Sequence, residues 1–373
     1  MKLDTLEGLA PYGFDAGLQS TFAARAARRV DNAVTGTLAP MAADAIARLP
    51  APGTDERRRL HSRGLEMIAA KQAGVVILAG GMATRFGGVV KAVVPAHEEA
   101  SFLEVKYADV RTVSMQAGVP ISMLVMSSFA THDAIGHHIR EQKLDARAIE
   151  VFPQFVALRL TPAGGLFRDG SGELSPYATG HGDLTFALRR SGALARFRAG
   201  GGTTLLMSNV DNLGATLDPA ILGLHAELGG AITAEVVKKV PGDKGGAPAL
   251  LDGTPQIIEG FRFPPSFDQD SIDVFNTNTF VLDAGAIDRD FELPYYRVEK
   301  QVDGAPAIQF ERLVGELTAL LPARFVEVSR SGPDCRFLPV KDPEELERQR
   351  AQIAEVVRRS ARSAARSAVR RAT

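Results

Sequence analysis

Glycines and charged side chains that could hold a phosphate follow the first strongly apolar run of the sequence. In VVILAGGMATRFGGVVKAVVP, residues 75–95, Gly80 and Gly81 end the apolar run, and Arg85 and Lys91 add positive charge. Glycines at such a place allow backbone N–H groups to approach a ligand that a Cβ atom would block. The spacing matches neither the P-loop nor the GxGxxG dinucleotide pattern. On these residues alone, a phosphate-binding loop and a plain tight turn both stay open.

A histidine between two glycines marks the second stretch, YATGHGDL. Asp183 directly precedes a helical pattern and is explained as a helix N-cap. His181 has no such explanation, and we interpret Gly180 and Gly182 as residues that leave its imidazole open to a ligand. A solvated loop histidine is the alternative.

Short polar side chains follow an apolar run in LLMSNVDNLGATLDP, residues 205–219. Carboxylates and amides offer the hard oxygen ligands of a hydrated Mg²⁺ ion, and the paired donors and acceptors that sugar hydroxyls need. We therefore predict that Asp211 is a metal ligand. An Asx turn that leads into the next helix is the alternative, and Asn212 fits that role.

Two asparagines stand two residues apart in a predicted strand, DVFNTNTFVL. Because side chains alternate along a strand, Asn276 and Asn278 are expected on the same face. Buried amides need partners, and a polyhydroxyl ligand would supply them. A satisfied ladder on an edge strand is the alternative.

A lysine precedes a Gly/Pro bend in VEKQVDGAPAIQFERLVGEL. Beyond the bend, residues 308–321 have the spacing of an amphipathic helix. Taken alone, Lys300 is one lysine among many and is interpreted as a solvated side chain.

The elements that must position these residues alternate along the chain. Apolar runs typical of strands occur at Val75–Ala79, Ile121–Met126, Ala148–Phe152, Thr204–Met207, Ile232–Val237 and Thr279–Leu282. Helical patterns lie at Asp183–Phe197 and Pro219–Leu228, and residues 16–73 predict lead-in helices that are broken near LPAPGTDE. This order predicts an α/β protein with a mostly parallel central sheet covered by helices on both faces. Ligands of such sheets bind at the carboxyl ends of the strands, which is where the polar stretches stand.

The composition narrows the possible functions. The 373 residues are 45% hydrophobic, and 43 Lys and Arg face 44 Asp and Glu, which gives a net charge of -1. No global field therefore draws the chain to nucleic acid or to an anionic membrane. Cys335 is the single cysteine, which excludes an internal disulfide and a multi-cysteine metal site and suits a reducing compartment. Because the sequence has no signal-peptide core and no apolar run of about 18 residues, we expect a soluble, cytoplasmic protein with no membrane partner.

Taken together, the motifs resemble the UTP–glucose-1-phosphate uridylyltransferases of eukaryotic type. The resemblance rests on LAGGMATRFGG, TGHGDL, SNVDNLGATLD, FNTNTF, AIQFE and CRFLPVK, which follow the family's order from about Val75 to Lys341. It implies the nucleotide-diphospho-sugar transferase fold, with a Rossmann-like, GT-A-like central sheet. It also implies a Mg²⁺-dependent, reversible reaction in which UTP and glucose 1-phosphate give UDP-glucose and pyrophosphate.

The resemblance assigns roles to individual residues. It implies nucleotide contacts at Gly80, Gly81, Met82, Gln154 and Gly182. It implies sugar-phosphate contacts at His181, Asn209, Gly245, Gly246, Asn276 and Asn278. It implies catalytic positive charge at Lys91, Lys300 and Arg85, and Mg²⁺ binding at Asp211. The two substrates are the expected partners, nucleic acid is not expected, and a monomer is compatible with the sequence.

The sequence divides into three segments. We expect a helical lead-in over residues 1–73, a nucleotidyltransferase domain over 74–341, and a C-terminal helix with a basic tail over 342–373. Because the chain ends soon after RFLPVK, the C-terminal β-helical domain of many relatives is expected to be absent. The tail VVRRSARSAARSAVRRAT suits a basic helix or a frayed end that could touch acidic surfaces or nucleic acid.

The sequence departs from the family's pattern at a few positions. Ala83 stands where a glycine is usual, Val90 and Ala92 replace a proline and a serine around the lysine, and Thr279 replaces an asparagine. A Cβ atom at position 83 would restrict the loop if the loop needs a positive φ there.

Two other functions stay open at this point. The LAGGMATR opening resembles the branch of relatives that acts on N-acetylhexosamine 1-phosphate. The altered loop motivates a non-catalytic sensor that binds a sugar nucleotide.

Overall fold

The structure is a computed structural model that describes residues 6–28, 30–243 and 245–372, with the side chains of all of these except positions 6, 83, 84 and 359–372. Its α-helices are α1 (Leu6–Leu9), α2 (Ala16–Ala26), α3 (Asp55–Ala69), α4 (Phe102–Ala117), α5 (His132–Glu141), α6 (Leu184–Arg190), α7 (Ala193–Ala199), α8 (Pro219–Leu228) and α9 (Pro343–Ala372). Its strands are β1 (Leu38–Pro40), β2 (Ala47–Arg48), β3 (Ala73–Leu78), β4 (Met82–Ala83), β5 (Val89–Val90), β6 (Pro95–His97), β7 (Ala100–Ser101), β8 (Ser122–Ser127), β9 (Ile149–Pro153), β10 (Val156–Leu158), β11 (Pro176–Ala178), β12 (Thr204–Asn209), β13 (Ile232–Lys238), β14 (Ala247–Leu251), β15 (Thr254–Ile258), β16 (Val274–Asp283), β17 (Tyr296–Val302), β18 (Ala305–Glu311) and β19 (Ala323–Glu327).

Eight strands of the described chain form one central sheet, in the order β2-β19-β13-β16-β12-β3-β8-β9. Neighbouring strands are parallel except at β16, which runs antiparallel to both β12 and β13. The predicted α/β fold with a mostly parallel sheet is thereby confirmed, and all six predicted strands belong to this sheet.

The central sheet is covered on both faces. All six residues of β3 are buried, with Val75 and Ile77 in one hydrophobic core and Val76 and Leu78 in the other. Side chains of α3, α4, α8 and α9 fill the first core, and those of α6 and α7 contribute to the second. A strand packed on both faces requires an unbroken apolar run, which is the pattern the sequence has here.

The N-terminal segment contains strands as well as helices. Between α2 and α3 the chain adds β1 to a small sheet with β14 and β15, and it places β2 at the edge of the central sheet. The prediction of lead-in helices over residues 16–73 is therefore confirmed for α2 and α3 and wrong for the stretch between them.

Two other helix predictions are corrected. The predicted helix over residues 183–197 is divided into α6 and α7 at Gly192, whose φ is 74°. The predicted amphipathic helix over residues 308–321 is wrong at its start, because Ile308 lies in β18. β18 pairs with β17 across a turn in which Asp303 and Gly304 have φ of 50° and 78°, as short hairpin turns require. A 3-10 helix follows at Val314–Ala319.

The C-terminal segment forms a helix, which is one of the two forms expected for it, a helix or a frayed end. The first half of α9 packs on α4 and places Ile353 and Val356 in the core. The side chains of the tail arginines at positions 359, 362, 366, 370 and 371 lie outside the described residues. Among the helices that the structure describes, none has the length and apolar character that crossing a membrane requires.

Candidate active site

The glycine-rich stretch begins where β3 ends and folds back on itself as a short hairpin. β4 pairs with β5, and the connection contains Gly87 and Gly88 with φ of 86° and 80°. The backbone N–H of Lys91 donates to the carbonyl oxygen of Gly81 at 3.3 Å. The chain after β3 is thus a hairpin that returns Lys91 to the glycine pair, rather than a single tight turn.

Gln154 follows β9 and lies beside Gly80, which follows β3, and β8 separates these two strands in the sheet. Its backbone N–H donates to Ser127 at the end of β8 at 2.9 Å. A Cβ atom on Gly80 would lie 2.6 Å from the side-chain Nε2 of Gln154, so only glycine leaves room for this amide. Gln154 is 6% exposed, and within the described residues its side-chain amide has no hydrogen-bond partner. A ligand could supply a hydrogen-bond partner for this amide, as the predicted base contact requires.

A substitution at Gly81 tests contact with a ligand without disturbing the packing of the protein. A Cβ atom on Gly81 would meet no atom within 4 Å, so a methyl group there intrudes only on a bound nucleotide. We expect Gly81→Ala to raise the KM for UTP about tenfold, equivalent to ~1.4 kcal/mol of binding energy, with an unchanged melting temperature. The matched control is Gly136→Ala in α5, where the nearest atom to a new Cβ is 3.6 Å away. Equal KM values for UTP in the wild type and Gly81→Ala would remove Gly81 from the nucleotide site.

Lys91 is buried against the chain in this structure. Its amine lies 4.1 Å from the centre of the Phe86 ring and 4.9 Å from that of Phe102, and it donates to the carbonyl oxygen of Val340 at 2.5 Å. Burial lowers the pKa of Lys91, and the nearby carboxylates, Asp211 foremost, oppose this effect. Lys91 is therefore a cation at the edge of the glycine hairpin whose amine points at protein, and its predicted contact with phosphate stays a prediction.

Asp211 stands in the loop that follows β12. Its carbonyl oxygen accepts the backbone N–H of Val340 at 3.1 Å, so the same residue contacts both Lys91 and Asp211. Apart from its own backbone amide, the carboxylate of Asp211 has no hydrogen-bond or ion-pair partner among the described residues. Burial raises the pKa of Asp211, while the charges of Lys91, Lys106 and Lys341 act in the opposite direction. This arrangement suits a carboxylate that shares a cation with substrate phosphates.

Asn209, Asn276 and Asn278 come together beside this loop. The side-chain N–H of Asn278 donates to the Oδ1 of Asn209 at 3.0 Å, and the backbone N–H of Asn278 donates to the Oδ1 of Asn276 at 3.1 Å. The predicted alternation on one strand face is wrong, because Thr277 and Asn278 are extra residues in a bulge against β13, and Asn278 has a φ of 56°. The edge-strand alternative is also wrong, since β16 lies inside the sheet.

Gly246 connects this group to a carboxylate that the sequence reasoning missed. The backbone N–H of Asn276 donates to the carbonyl oxygen of Gly246 at 2.8 Å. A Cβ atom on Gly246 would lie 3.2 Å from the Oε2 of Glu259, while one on Gly245 would lie 2.6 Å from the ring of Phe275. Gly246 thus allows the chain before β14 to approach the backbone of Asn276, and Glu259 lies beside Gly246. Only contacts across β14 and β15 reveal Glu259, so no local signal marks it.

Glu259 gives the protein a pH-dependent stability. Burial, with a smaller contribution from Glu316, raises the pKa of Glu259 to about 7 from its ordinary value of 4.5. Between these values the native protein holds a proton that the unfolded chain has released, so stability falls as the pH rises from 5 to 8. We expect Glu259→Gln to melt at a higher temperature than the wild type at pH 8 and at the same temperature near pH 5. The exposed Glu355→Gln in α9 serves as the control, and a parallel shift of both variants at the two pH values would contradict the assignment.

His181 is not a solvated loop histidine. Its Nδ1 accepts the backbone N–H of Val314 at 3.1 Å, so the neutral ring carries its proton on Nε2. Burial lowers the pKa of His181 to about 4, which keeps the ring neutral near pH 7. A neutral imidazole with a fixed tautomer can donate one hydrogen bond from Nε2, as the predicted ligand contact requires.

Gly180 and Gly182, on either side of His181, allow another segment of backbone to pack closely against them. A Cβ atom on Gly182 would lie 2.5 Å from the backbone of Arg312 and Leu313, and Gly180 with φ of 98° contacts the same segment. The interpretation that these glycines expose His181 is therefore wrong, because they make room for the backbone that follows β18. Asp183 precedes α6 but makes no side-chain cap, and its carboxylate instead accepts from the guanidinium of Arg312 at 2.6 Å.

Lys300 lies on the β17–β18 hairpin. Its amine is 3.8 Å from the carboxylate of Glu311 on the partner strand, and its side chain is 47% exposed. It has no hydrogen bond or ion pair with Lys91, Asp211 or their neighbours among the residues that the structure describes. The structure thus does not bring Lys300 to the other candidate residues, and its catalytic role stays a prediction.

Lys341, rather than Lys300, lies near Asp211. It is exposed, it directly follows Val340, and its charge acts on Asp211. Arg85 is also exposed, 4.0 Å from the carboxylate of Asp342, so it too lies next to this segment. Met82 is 42% exposed on the hairpin. The RFLPVK motif already singled out this segment, but its lysine was not assigned a role.

The departures around the hairpin are accommodated. Ala83 lies in strand β4, and its side chain is outside the described part of the structure. Val90 and Ala92 are buried in the hydrophobic core. Thr279 is buried and its hydroxyl lies 3.5 Å from the side-chain amide of Asn212.

The sequence is similar to those of known proteins. A family model of UTP–glucose-1-phosphate uridylyltransferase matches residues 22–367. UTP–glucose-1-phosphate uridylyltransferase 2 of Dictyostelium discoideum is 30% identical over 296 residues, which cover 74% of this chain and 58% of that protein. The UTP–glucose-1-phosphate uridylyltransferase of Solanum tuberosum is 28% identical over 289 residues, with 73% and 60% covered. The chain therefore spans less than two thirds of the length of these relatives.

Solved structures share the fold. The UDP-glucose phosphorylase of Trypanosoma brucei has a TM-score of 0.74 at 21% identity, covering 93% of this chain and 78% of that one. The uridine diphosphate N-acetylglucosamine pyrophosphorylase of the same organism has a TM-score of 0.71 at 18% identity, covering 83% and 72%. At these identities the likeness shows the fold alone. Since the family model matches most of the sequence, the chain belongs to the UTP–glucose-1-phosphate uridylyltransferase family.

Proposed function

We propose that the protein transfers the uridylyl group of UTP to glucose 1-phosphate and forms UDP-glucose and pyrophosphate reversibly. The observation that carries the proposal is the meeting of the glycine hairpin, the Asp211 loop and the segment around Val340 at the carboxyl ends of β3 and β12. Ligands of open α/β sheets bind at this edge. Membership of the family supports the same reaction.

The reaction exchanges one phosphoanhydride bond for another. An oxygen of the sugar phosphate attacks the α-phosphorus of UTP, the bond from that phosphorus to the bridging oxygen of the β-phosphate breaks, and pyrophosphate leaves on the opposite side. Because the sugar phosphate is already an anion near neutral pH, no general base is required. The protein must therefore position two anions and neutralise their charge.

Different groups of the described residues position the substrates and neutralise their charge. Gln154 and the backbone at Gly80 and Gly81 hold the nucleoside. Lys91 and Lys341 neutralise phosphate charge at the hairpin edge, with the exposed Arg85 next to them.

The sugar side lies across the loop from these cations. Asn209 and Asn278 meet there through a direct hydrogen bond, and Glu259 and the neutral His181 add an acceptor and a donor for hydroxyl groups. A sugar ring needs both kinds of partner, since each hydroxyl donates and accepts.

The residues present fit a Mg²⁺ ion. Mg²⁺ usually takes one or two carboxylates together with substrate phosphates, and Asp211 offers a half-buried carboxylate without a protein partner. The described residues contain no cluster of three or more histidine, cysteine or carboxylate ligands, so substrate oxygens would complete the coordination. When bound, the ion would neutralise developing charge on the phosphates.

A second candidate sugar is N-acetylhexosamine 1-phosphate. It is suggested by the shared fold with the N-acetylglucosamine pyrophosphorylase of Trypanosoma brucei. The two sugars differ at the 2-position, where the acetamide is larger than the hydroxyl group. The relatives from Dictyostelium discoideum and Solanum tuberosum are named for glucose 1-phosphate, which favours glucose.

The choice of sugar can be measured by initial rates of pyrophosphate release with UTP and either sugar 1-phosphate. We expect kcat/KM to be at least about 100-fold higher for glucose 1-phosphate, the discrimination that ~2.7 kcal/mol provides. Equal or reversed values would favour the N-acetylhexosamine reaction. Tight UTP binding without turnover of either sugar would favour the sensor.

A further inference from the structure

A buried lysine lies beneath the loop that carries Asp211. Lys106 of α4 is 4% exposed. Its amine donates to the carbonyl oxygen of Asn212 at 2.6 Å and to that of Ala215 at 2.8 Å, and it lies 3.3 Å from the hydroxyl of Ser208. All three acceptors belong to the segment from Ser208 to Ala215, so the loop curls around one ammonium group.

The contacts of Lys106 differ from those of an ordinary buried cation. Buried charges are usually paired, and here three uncharged oxygens of the loop contact the amine. Burial lowers the pKa of Lys106 to about 8, with a nearby carboxylate, Asp109, acting in the opposite direction. Near pH 7 the amine is therefore mainly protonated, and loop oxygens replace its water.

The loop is fixed on its other side as well. The Oδ1 of Asn212 accepts the backbone N–H of Leu338 at 2.8 Å, and its amide lies 3.3 Å from the carbonyl oxygen of Arg336. Asp211 in turn accepts from Val340. The position of Asp211 thus depends on two anchors, Lys106 below the loop and the segment from Arg336 to Val340 beside it.

A second residue of the same helix holds the far end of the loop. The carboxylate of Asp109 accepts the backbone N–H of Leu217 at 2.7 Å. Lys106 and Asp109 also line a cavity of about 150 Å³ between α4 and α9, together with Val356 and Val357. Because this space lies next to the lysine, a shorter or uncharged side chain at position 106 would leave the loop room to move rather than a replacement contact.

We infer that Lys106 is a positioning residue for the proposed uridylyl transfer, because its amine gathers three loop oxygens and so sets the place of the Asp211 carboxylate. The inference rests on the proposed function for its catalytic consequence. Its structural part, the ordering of residues 208–215, does not depend on that function. No motif marks Lys106, since it lies inside an amphipathic helix far from the loop in sequence.

The test uses Lys106→Met, which keeps the length of the side chain and removes the charge and the donors. Lys106→Gln, which restores one donor group, is the second variant if the first folds poorly. Val113→Ala, a buried truncation two turns further along α4, is the control for lost stability without lost loop contacts. Four quantities are measured for each variant: the amide hydrogen exchange of residues 208–215, kcat, KM for UTP and the half-activating Mg²⁺ concentration.

We expect Lys106→Met to speed exchange in the loop about tenfold or more, as lost local protection would. Its kcat should fall about 100-fold, the typical cost of an ångström-scale misplacement, while KM for UTP stays within about threefold. The half-activating Mg²⁺ concentration should rise, and Val113→Ala should change neither the loop exchange nor the Mg²⁺ response. Unchanged loop exchange in Lys106→Met, or parallel losses in both variants, would overturn the positioning role. Absence of turnover in the wild type, with the exchange difference intact, would overturn the proposed function instead.

Discussion

Replacing Lys341 with alanine should lower kcat about 100- to 1000-fold, the usual effect of removing one group that stabilises charge in the transition state. The reason is its place in the structure. Lys341 is exposed, it follows the residue that contacts both Lys91 and Asp211, and its charge acts on Asp211. An exposed side chain of this kind contributes little to folding, so the melting temperature should stay the same. The measurement is steady-state pyrophosphate release together with a thermal melt.

Lys300→Ala is the matched control, since it also removes one exposed lysine. Its amine is held only loosely by Glu311, 3.8 Å away on the same hairpin. This geometry predicts that kcat of Lys300→Ala stays within about twofold of the wild type, whereas the motif-based catalytic role of Lys300 predicts a large loss. A large loss in Lys300→Ala with a normal Lys341→Ala would restore the motif-based role of Lys300 and would require the hairpin to move onto the substrate.

Asp211→Asn should abolish the response to Mg²⁺ and lower kcat about 100-fold or more. The substitution keeps the shape of the side chain and removes the charge that a hard cation needs. Because burial raises the pKa of Asp211, the ionised carboxylate costs the folded protein stability at neutral pH. The variant should therefore be at least as stable as the wild type while it is much less active.

The relevant measurement is a Mg²⁺ titration of kcat beside thermal melts at pH 7.5. Glu355→Gln in α9, which removes one exposed carboxylate away from the site, controls for the simple loss of one charge. If Asp211→Asn retained the Mg²⁺ activation curve of the wild type, Asp211 would not be the metal ligand. If it unfolded at a much lower temperature, the carboxylate would have a structural partner that the present arrangement does not contain.

The sheet and the position of the site were predictable from local patterns. Unbroken apolar runs such as that of β3 occur where a strand is covered on both faces, and this made the six strands recognisable. Polar residues directly after such runs must lie at one edge of a parallel sheet. Asn209 accordingly pairs with Leu78 at the ends of β12 and β3, two residues before Gly80.

The reasons behind several motifs were not predictable, because the deciding partners are distant in sequence. Gly182 is required by the backbone of Arg312 and Leu313, about 130 residues later, and no property of TGHGDL reveals this. Asn278 is brought to Asn209 by a bulge with a positive φ rather than by the alternation of a regular strand.

The burial of charged residues was also not predictable from the sequence. Lys106 looks like one polar position of an amphipathic helix, yet its amine is solvated by a loop more than 100 residues away. Arg336, in RFLPVK, is 1% exposed and pairs with the buried carboxylate of Glu235 at 2.6 Å. Sequence patterns identify which residues are charged, but the cost of burying them is balanced by partners that only the fold supplies.

The central claim is tested most directly by product stoichiometry in a mixture of UTP, glucose 1-phosphate and Mg²⁺. We predict that the wild-type protein forms one UDP-glucose for each pyrophosphate released, and that no pyrophosphate is released when the sugar phosphate is left out. Release of pyrophosphate without the sugar phosphate, or UTP binding with no UDP-glucose formed, would contradict uridylyl transfer by this chain.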